Sequence, residues 1–332
     1  MRYIIYGAGA IGGPIGGLLF EAGRDVVLIA RGEHGRKVSA NGLRFGTPAG
    51  GWRNLRIPIV EHPRELTIGA GDVVVLSMQS QGTQAALEAL SQLASPDVPI
   101  VCAQNGVDNE RAALRHFANV HGLVVQLFGA YVEPGVVASC DDPSPMCDVG
   151  RYPSGVDDVD REIATDFEAA SIQCIPRADI MAHKYAKLVL NTTNALAAAI
   201  GRSAPDMELA RLAREESYKV FAAAGIAVST ESDPRNAIRK HGLIEGKPYG
   251  GNSAFQSIER GRTRLETDYL NGEIVLLGRL HGVPTPVNEF LADLALRLVK
   301  TRTKAGSLTI GEVEAGLPRV GPALSGSSLH RQ

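Results

Sequence analysis

The amino-acid sequence predicts an α/β protein in two parts, a doubly wound sheet followed by an all-helical region. Three observations carry that reading. Short apolar runs alternate with helical spacing through the first half of the chain. A glycine-rich turn joins the first of those runs to the first helix. Beyond about residue 179 helical periodicity prevails and strand character fades.

Residues 2–6, from Arg2 to Tyr6, form a β-favouring run that stops abruptly at glycines. Residues 11–22 then read as a helix closed by Gly23, and 25–30 as a second buried strand. Strand, glycine turn, helix and strand in that order make a βαβ unit. Val73, Val74, Val75 and Leu76 are continuously apolar, as expected of a parallel strand covered on both faces. A helix is expected at 83–93, a strand at 98–103 leading into Gln104-Asn105-Gly106, and another strand near 122–128. This is the pattern of a Rossmann-type sheet, which takes ligands at the carboxyl ends of its strands. Residues 139–158, rich in Asp, Pro, Ser and Gly, read mostly as loop with one short strand. Helices are expected over 179–200, 205–224, 252–281 and 287–302. The domains are accordingly set at 1–177 for the sheet and 178–319 for the helices, with 320–332 as a frayed tail.

Composition excludes several classes of function. Thirty-four basic against 36 acidic side chains leave a formal net charge of -2, so no basic field argues for nucleic acid or an anionic membrane. Cys102, Cys140, Cys147 and Cys174 form no C-x-x-C pair and have no histidine at ligand spacing, so no metal site is expected. Four cysteines in 332 residues do not make a disulfide framework, and a reduced, cytoplasmic setting fits. The apolar N-terminus is interrupted by glycines and ended by Glu21, Arg24 and Asp25, short of the ~20 residues a spanning helix needs. The partner is expected to be a small molecule, and a homodimer is left open.

Gly7-Ala8-Gly9-Ala10-Ile11-Gly12 is a G-x-G-x-x-G between a strand and a helix. The first glycine permits the tight turn, the second the approach of a pyrophosphate, and the third close packing of helix on strand. The helix N-terminus offers unpaired N–H groups to that phosphate. At the end of the second strand, where an NAD site carries an acid, the chain reads Ala30-Arg31-Gly32. An acid there would repel a 2′-phosphate, whereas Arg31 can pair with one, so NADPH is the expected cofactor.

The stretch 179–200 supplies candidates for acid chemistry. Lys187, Asn191 and Asn194 stand at i, i+4 and i+7, one face of an uninterrupted helix that is otherwise apolar. Two amides and an ammonium aimed one way need partners, and a substrate carbonyl and carboxylate would serve. Lysine suits proton donation because its pKa moves readily with burial. Lys184, one turn earlier, is a rival donor. Farther on, Glu266 and Asp268 add carboxylates in an amphipathic stretch, each equally readable as a solvated helix charge.

Taken together these residues resemble the ketopantoate reductase family over nearly the whole chain. The landmarks are Gly7 to Gly12, Arg31, Gln104-Asn105-Gly106, Ala130 with Pro134-Gly135, and Lys187 to Asn191. They continue with Gly261-Arg262, Glu266 to Gly272, and Gly282 to Asn288. The resemblance implies that Lys187 is the general acid towards the ketone oxygen and that Glu266 binds the substrate hydroxyl. It places Asn105 beside the nicotinamide, with Asn191 and Ser253 on the substrate. Departures fall at four places. Ala195 stands where the family often has a second asparagine, with Asn194 one residue early. Gln79 replaces a cofactor-binding lysine. Asn252 to Ser257 lacks the family's aspartate, and one extra residue lies between Arg262 and Glu266. The reaction class is kept, and a 2-keto acid related to ketopantoate becomes an alternative substrate. Lys-x-x-x-Asn on a helix also resembles the β-hydroxyacid dehydrogenases, and an NADPH-binding sensor without turnover is a third reading.

Overall fold

A computed structural model describes residues 1–201 and 207–316, and the tail expected at 320–332 lies outside them. The chain divides into two compact units, Met1–Leu188 with Ala227–Gly251, and Val189–Ile226 with the chain from Asn252 onward.

In the first unit β1 (Arg2–Tyr6) leads through the glycine turn into α1 (Gly12–Glu21) and back into β2 (Asp25–Ile29). Helix α1 can lie this close because it presents glycine: a Cβ at Gly17 would meet the ring of Phe45 at 3.0 Å. Next come α2 (Gly32–Asn41), the antiparallel pair β3 (Leu43–Thr47) and β4 (Gly51–Leu55), the short β5 (Ile59–Val60), and β6 (Asp72–Leu76). The alternation continues with α3 (Thr83–Ser91), β7 (Ile100–Cys102), α4 (Asn109–Leu114) and β8 (Val120–Gln126). Then follow β9 (Gly129–Glu133), β10 (Val136–Ser139), β11 (Asp141–Asp142), β12 (Met146–Arg151), α5 (Asp158–Ala169) and α6 (Ile180–Asn191).

The main sheet has the order β12-β8-β7-β6-β1-β2-β5, parallel from β8 to β5, with β12 antiparallel at one edge. The chain order reverses at β1, which lies between β2 and β6, and a switch point of this kind opens at the carboxyl ends of the strands. Both faces are covered. Tyr3, Ile5, Leu28, Val73 and Val75 pack with Ile15, Leu19 and Phe167 on one side. Ile4, Val27, Val74 and Leu76 pack with Leu87, Leu90 and Phe117 on the other.

The segment 139–158, expected to be mostly loop with one short strand, holds more strand than that. It contains β11 and the six-residue β12, and β10 just before it joins a smaller sheet ordered β4-β3-β10-β9. Asp148 and Gly150 disguise β12, because a mid-strand acid reads as loop. Asp148 is tolerated through Arg177 Nε at 3.0 Å and Arg235 Nη2 at 2.7 Å, partners remote in sequence. Arg235 belongs to the short α9 (Arg235–Ile238), and β13 (Lys240–His241) follows it to pair with β11. Thus 227–251 returns to the first unit, although it lies between helices of the second.

The second unit is helical: α7 (Asn194–Ile200), α8 (Glu208–Ala224), α10 (Ser253–Glu259), α11 (Asn271–His281), α12 (Pro286–Lys300) and α13 (Ile310–Glu314). Leu196, Ala199, Ala210, Ala213, Leu291, Leu294 and Leu298 form its core. The run expected at 252–281 is broken into α10, a 3-10 turn at Glu266–Tyr269, and α11. The helix expected at 179–200 is broken as well, at Thr192-Thr193 between α6 and α7. Both threonine hydroxyls bond back to carbonyls, Thr192 to Val189 at 2.7 Å and Thr193 to Leu190 at 2.9 Å, a habit that bends helices.

Within the first unit α6 is pinned by a buried ion pair. Lys184, 3% exposed, is paired to Glu110 of α4, 0% exposed, and also donates to the carbonyls of Cys102 at 3.3 Å and Gln104 at 3.2 Å. Lys184→Met strands the Glu110 carboxylate, and a loss of about 3–5 kcal/mol in urea unfolding is expected. Lys184→Met with Glu110→Leu is expected to regain most of that loss, since a well-packed apolar pair often matches a buried ion pair. A double variant no more stable than Lys184→Met alone would count against the pairing as the cause.

Candidate functional site

Gly7 ends β1 at φ +108°, and a Cβ there would stand 2.8 Å from the backbone nitrogen of Met78. At Gly12 a Cβ would lie 2.2 Å from Ser77 Oγ and 2.3 Å from the Gly7 carbonyl oxygen, so α1 is seated directly on the strand ends. Gly9 is different: nothing lies within 4 Å of the Cβ position, and the turn is open on that side. The Gly7 N–H donates to the Ile29 carbonyl at 3.0 Å, and Ser77 Oγ donates to the carbonyls of Tyr6 and Gly7 at 3.1 and 2.9 Å. The turn is therefore fixed from β2 and β6 at once. Open backbone at Gly9 beside the N-terminus of α1 fits a dinucleotide pyrophosphate, with Ala10 and Ile11 completing the turn.

Arg31 follows β2 and precedes α2 in extended backbone. It is exposed, and among the described residues its guanidinium has no ion-pair partner. Its charge reaches Tyr6: burial raises the Tyr6 pKa, and Arg31 draws it back down. Gln79 opens the turn after β6, its Oε1 accepting from Gln81 Nε2 at 3.0 Å. The Asn105 carbonyl accepts from Ser80 Oγ at 3.3 Å and from Asn109 Nδ2 at 2.9 Å. Gln104 Nε2 donates to Thr83 Oγ1 at 2.6 Å, and Thr83 in turn donates to Asn109 Oδ1 at 2.7 Å. This buried network locks the loops after β6 and β7 together. Glycine turn, Gln79 and Asn105 thus gather at the carboxyl ends of adjacent strands, β1, β6 and β7.

Lys187 of α6 is partly buried, and its Nζ donates to the Val125 carbonyl near the end of β8. Lys184, equally placed in the sequence reading, is consumed by Glu110 and two carbonyls. Asn191 ends α6, and its Nδ2 is buried without a hydrogen-bond partner among the described residues. The helix break means that Asn194 does not share a face with Lys187 by periodicity. Instead it opens α7, where its Nδ2 meets Ser253 Oγ at 3.5 Å, and Asn252 Nδ2 donates to its carbonyl at 3.4 Å. Asn252 also caps α10, its Oδ1 accepting the Phe255 N–H at 2.8 Å. Glu266 is buried at the start of its 3-10 turn, whereas Asp268 is exposed, which separates two carboxylates the sequence left equivalent.

The first unit therefore carries the glycine turn, Arg31, Gln79, Asn105 and Lys187, and the second carries Asn191, Asn194, Ser253 and Glu266. Sequence reasoning missed Ser77, Glu110 and the Gln104–Thr83–Asn109 network. The Gln104-Asn105-Gly106 motif was the available signal for the last of these. Among the described residues, His121, Asp157 and Asp160 lie close enough to hold an ion. Their atoms serve otherwise: His121 pairs with Asp160 at 2.7 Å and Asn119 at 2.9 Å, and Asp157 with Asp160 caps α5. No helix of the described residues is long and apolar enough to cross a membrane.

Known proteins resemble this chain over most of its length. The sequence profile Ketopantoate reductase PanE/ApbA matches residues 3–144, and the profile Ketopantoate reductase PanE/ApbA C terminal matches residues 179–298. The 2-dehydropantoate 2-reductase of Pyrococcus horikoshii is 28% identical over 314 residues, covering 92% of this chain and 99% of that one. A PanE/ApbA family ketopantoate reductase from Ralstonia eutropha JMP134 superposes with a TM-score of 0.75 at 28% identity, over 91% of this chain and 99% of that one. A D-mandelate dehydrogenase solved with NADH and anilino(oxo)acetate shares the fold, with a TM-score of 0.76 at 22% identity over 91% of this chain and 99% of that one. With both of its parts matched in family order, the chain belongs to the ketopantoate reductase family and is an oxidoreductase acting on a CH–OH/C=O pair.

Proposed function

We propose that this chain reduces the ketone of ketopantoate, or of a closely related 2-keto acid, using NADPH, with Lys187 as the general acid. The observation that carries the proposal is the division of labour on α6. Lys184 is sealed by Glu110 and two carbonyls, which removes it as a donor and points to Lys187. The relatives named 2-dehydropantoate 2-reductase support the substrate class.

The roles follow from the residues. The turn from Gly7 to Gly12 takes the pyrophosphate on backbone N–H groups, and Arg31 takes the 2′-phosphate through charge-assisted hydrogen bonds. Asn105 stands by the nicotinamide, on a loop that the Thr83–Asn109 network holds rigid. A bound nicotinamide dinucleotide supplies the hydride for the carbonyl carbon. Lys187 gives its proton to the carbonyl oxygen as charge develops there, and its bond to the Val125 carbonyl sets the direction of the ammonium. Asn191 Nδ2, buried and unpartnered among the described residues, is suited to donate to the substrate carboxylate. Asn194 and Ser253 complete that cradle, and Glu266 accepts from the substrate hydroxyl.

Gln79 brings no charge to the 2′-phosphate, so Arg31 carries the discrimination between NADPH and NADH. Residues 1–177 are read as the cofactor-binding domain and 178–319 as the substrate domain. The reading extends to a cytoplasmic enzyme, with a homodimer as the assembly to test.

NADPH oxidation with ketopantoate is the direct assay, and binding of NADPH without turnover of any 2-keto acid would favour a sensor instead. Lys187→Ala is expected to lower kcat by about 10²–10⁴-fold while the NADPH Kd is retained, measured by steady-state kinetics and fluorescence titration. Wild-type turnover would remove Lys187 from the mechanism. Arg31→Ala is expected to raise KM for NADPH about tenfold or more and leave NADH nearly unchanged. Equal losses with both cofactors would show that Arg31 does not read the 2′-phosphate.

A further inference from the structure

Asn271 and Asn288 are 1% and 0% exposed and have no part in the chemistry above. Their amides belong to one continuous chain of hydrogen bonds. It begins at Glu216 of α8, whose Oε1 accepts the Val287 N–H and whose Oε2 accepts the Asn288 N–H, both at 2.9 Å. The carboxylate thereby satisfies the first turn of α12. Asn288 Nδ2 donates to Glu216 Oε2 at 2.8 Å and to the Ala213 carbonyl at 3.0 Å. Asn288 Oδ1 accepts from Asn271 Nδ2 at 3.0 Å, and that nitrogen also donates to the Thr192 carbonyl at 2.8 Å.

Thr192 is where the helix breaks. In an unbroken helix its carbonyl would accept the N–H of Leu196. Asn271 supplies that proton from another helix, so the Thr192 carbonyl stays paired at the break. Asn191 lies immediately before the break, and Asn194 lies just after it, against Ser253. Were the helix to close across Thr192, Asn194 would turn by roughly 100° for each residue of register and leave Ser253.

We infer that Glu216, Asn288 and Asn271 are positioning residues that hold the break at Thr192 and so set how Asn191 and Asn194 present their amides to substrate. This rests on the substrate role proposed for Asn191, Asn194 and Ser253. A break kept merely for stability also needs a donor at Thr192, but its loss leaves the KM for substrate unmoved. A break kept for positioning ties that donor to the KM.

Asn271→Ala removes that donor, and Val313→Ala, a truncation of a buried side chain on α13, serves as a control for general destabilisation. Hydrogen exchange at the amides of 193–197 is read first, in the full-length protein without substrate. Altered exchange there in Asn271→Ala, and not in Val313→Ala, is expected. In kinetics, Asn271→Ala is expected to raise KM for the 2-keto acid about tenfold with the NADPH Kd unchanged, while Val313→Ala keeps KM within about twofold. Unchanged exchange in Asn271→Ala overturns the inference whatever the activity. So does altered exchange with a wild-type KM, or an equal rise in KM from Val313→Ala. Should Asn271→Ala not fold, Asn288→Ser, which cuts the chain one link earlier, is read in the same way. A wild-type protein that turns over no 2-keto acid sinks the proposed function, and the exchange comparison still decides whether the relay holds the break.

Discussion

The structure depends on one close approach, that of α1 to the ends of β1 and β6. At Gly12 the obstruction to a side chain is the Gly7 carbonyl oxygen and Ser77 Oγ, and at Gly7 it is the backbone of Met78. A rotamer change cannot relieve backbone contacts, so the turn has a single solution. The consequences reach beyond the turn itself. A Cβ at Gly129 would stand 1.7 Å from the Ala10 carbonyl oxygen, so β9 is laid against the turn. The same approach therefore leaves the turn open at Gly9 and seats the smaller sheet against it.

Around that apolar frame, three buried carboxylates are met by donors from distant segments of the chain. Glu110 faces the Lys184 ammonium, Asp148 faces two guanidinium groups, and Glu216 faces two backbone N–H groups and an amide. Burial raises the Glu110 pKa, and Lys184 opposes the rise. For Glu216 burial likewise raises it, opposed by the N–H groups of Val287 and Asn288. Desolvating a lone carboxylate costs several kcal/mol, which Asp148 and Glu216 offset with several donors and Glu110 with the full charge of Lys184. Segment 227–251 depends on the same principle. Arg235 on Asp148, and Arg239 on Asp141 at 3.0 Å and over the Phe128 ring at 4.1 Å, fasten it to the first unit. Its anchors combine charge with aromatic surface.

What the sequence revealed, and what it hid, divides along the range of the interactions. Val73 to Leu76 announce a doubly covered strand because burial on both faces leaves an uninterrupted apolar run. Gly7 to Gly12 announce a tight strand-to-helix turn because the constraint is local backbone. Within 139–158, where one short strand was expected, the place and length of β12 were obscured by Asp148, which is neutralised by Arg235, 87 residues away. The break at Thr192 was hidden because its decisive donor, Asn271, is 79 residues distant. Periodicity placed Lys184 and Lys187 one turn apart with nothing to separate them. The separation comes from Glu110, 74 residues from Lys184. Local rules recover the frame and the cofactor turn, and long-range pairing decides which side chain on a given helix is available.

The departures from the family pattern acquire a physical meaning in the same way. Ser257 stands where the family has an aspartate, and it is wholly buried in the second unit. At such a position an acid would need charge-bearing partners, while a hydroxyl needs one or two hydrogen bonds. A hydroxyl there therefore lets α10 be held without a buried charge. At the start of α10 Asn252 caps the helix and Ser253 meets Asn194. The missing asparagine at Ala195 follows the same logic. Because the helix stops at Asn191 and restarts at Asn194, the one-residue displacement is not read out as a rotation along a continuous helix. Asn194 instead takes its direction from the contact with Ser253. The orientation of Asn194 thus depends on how the break and α10 are seated, more than on a count of polar residues in the stretch.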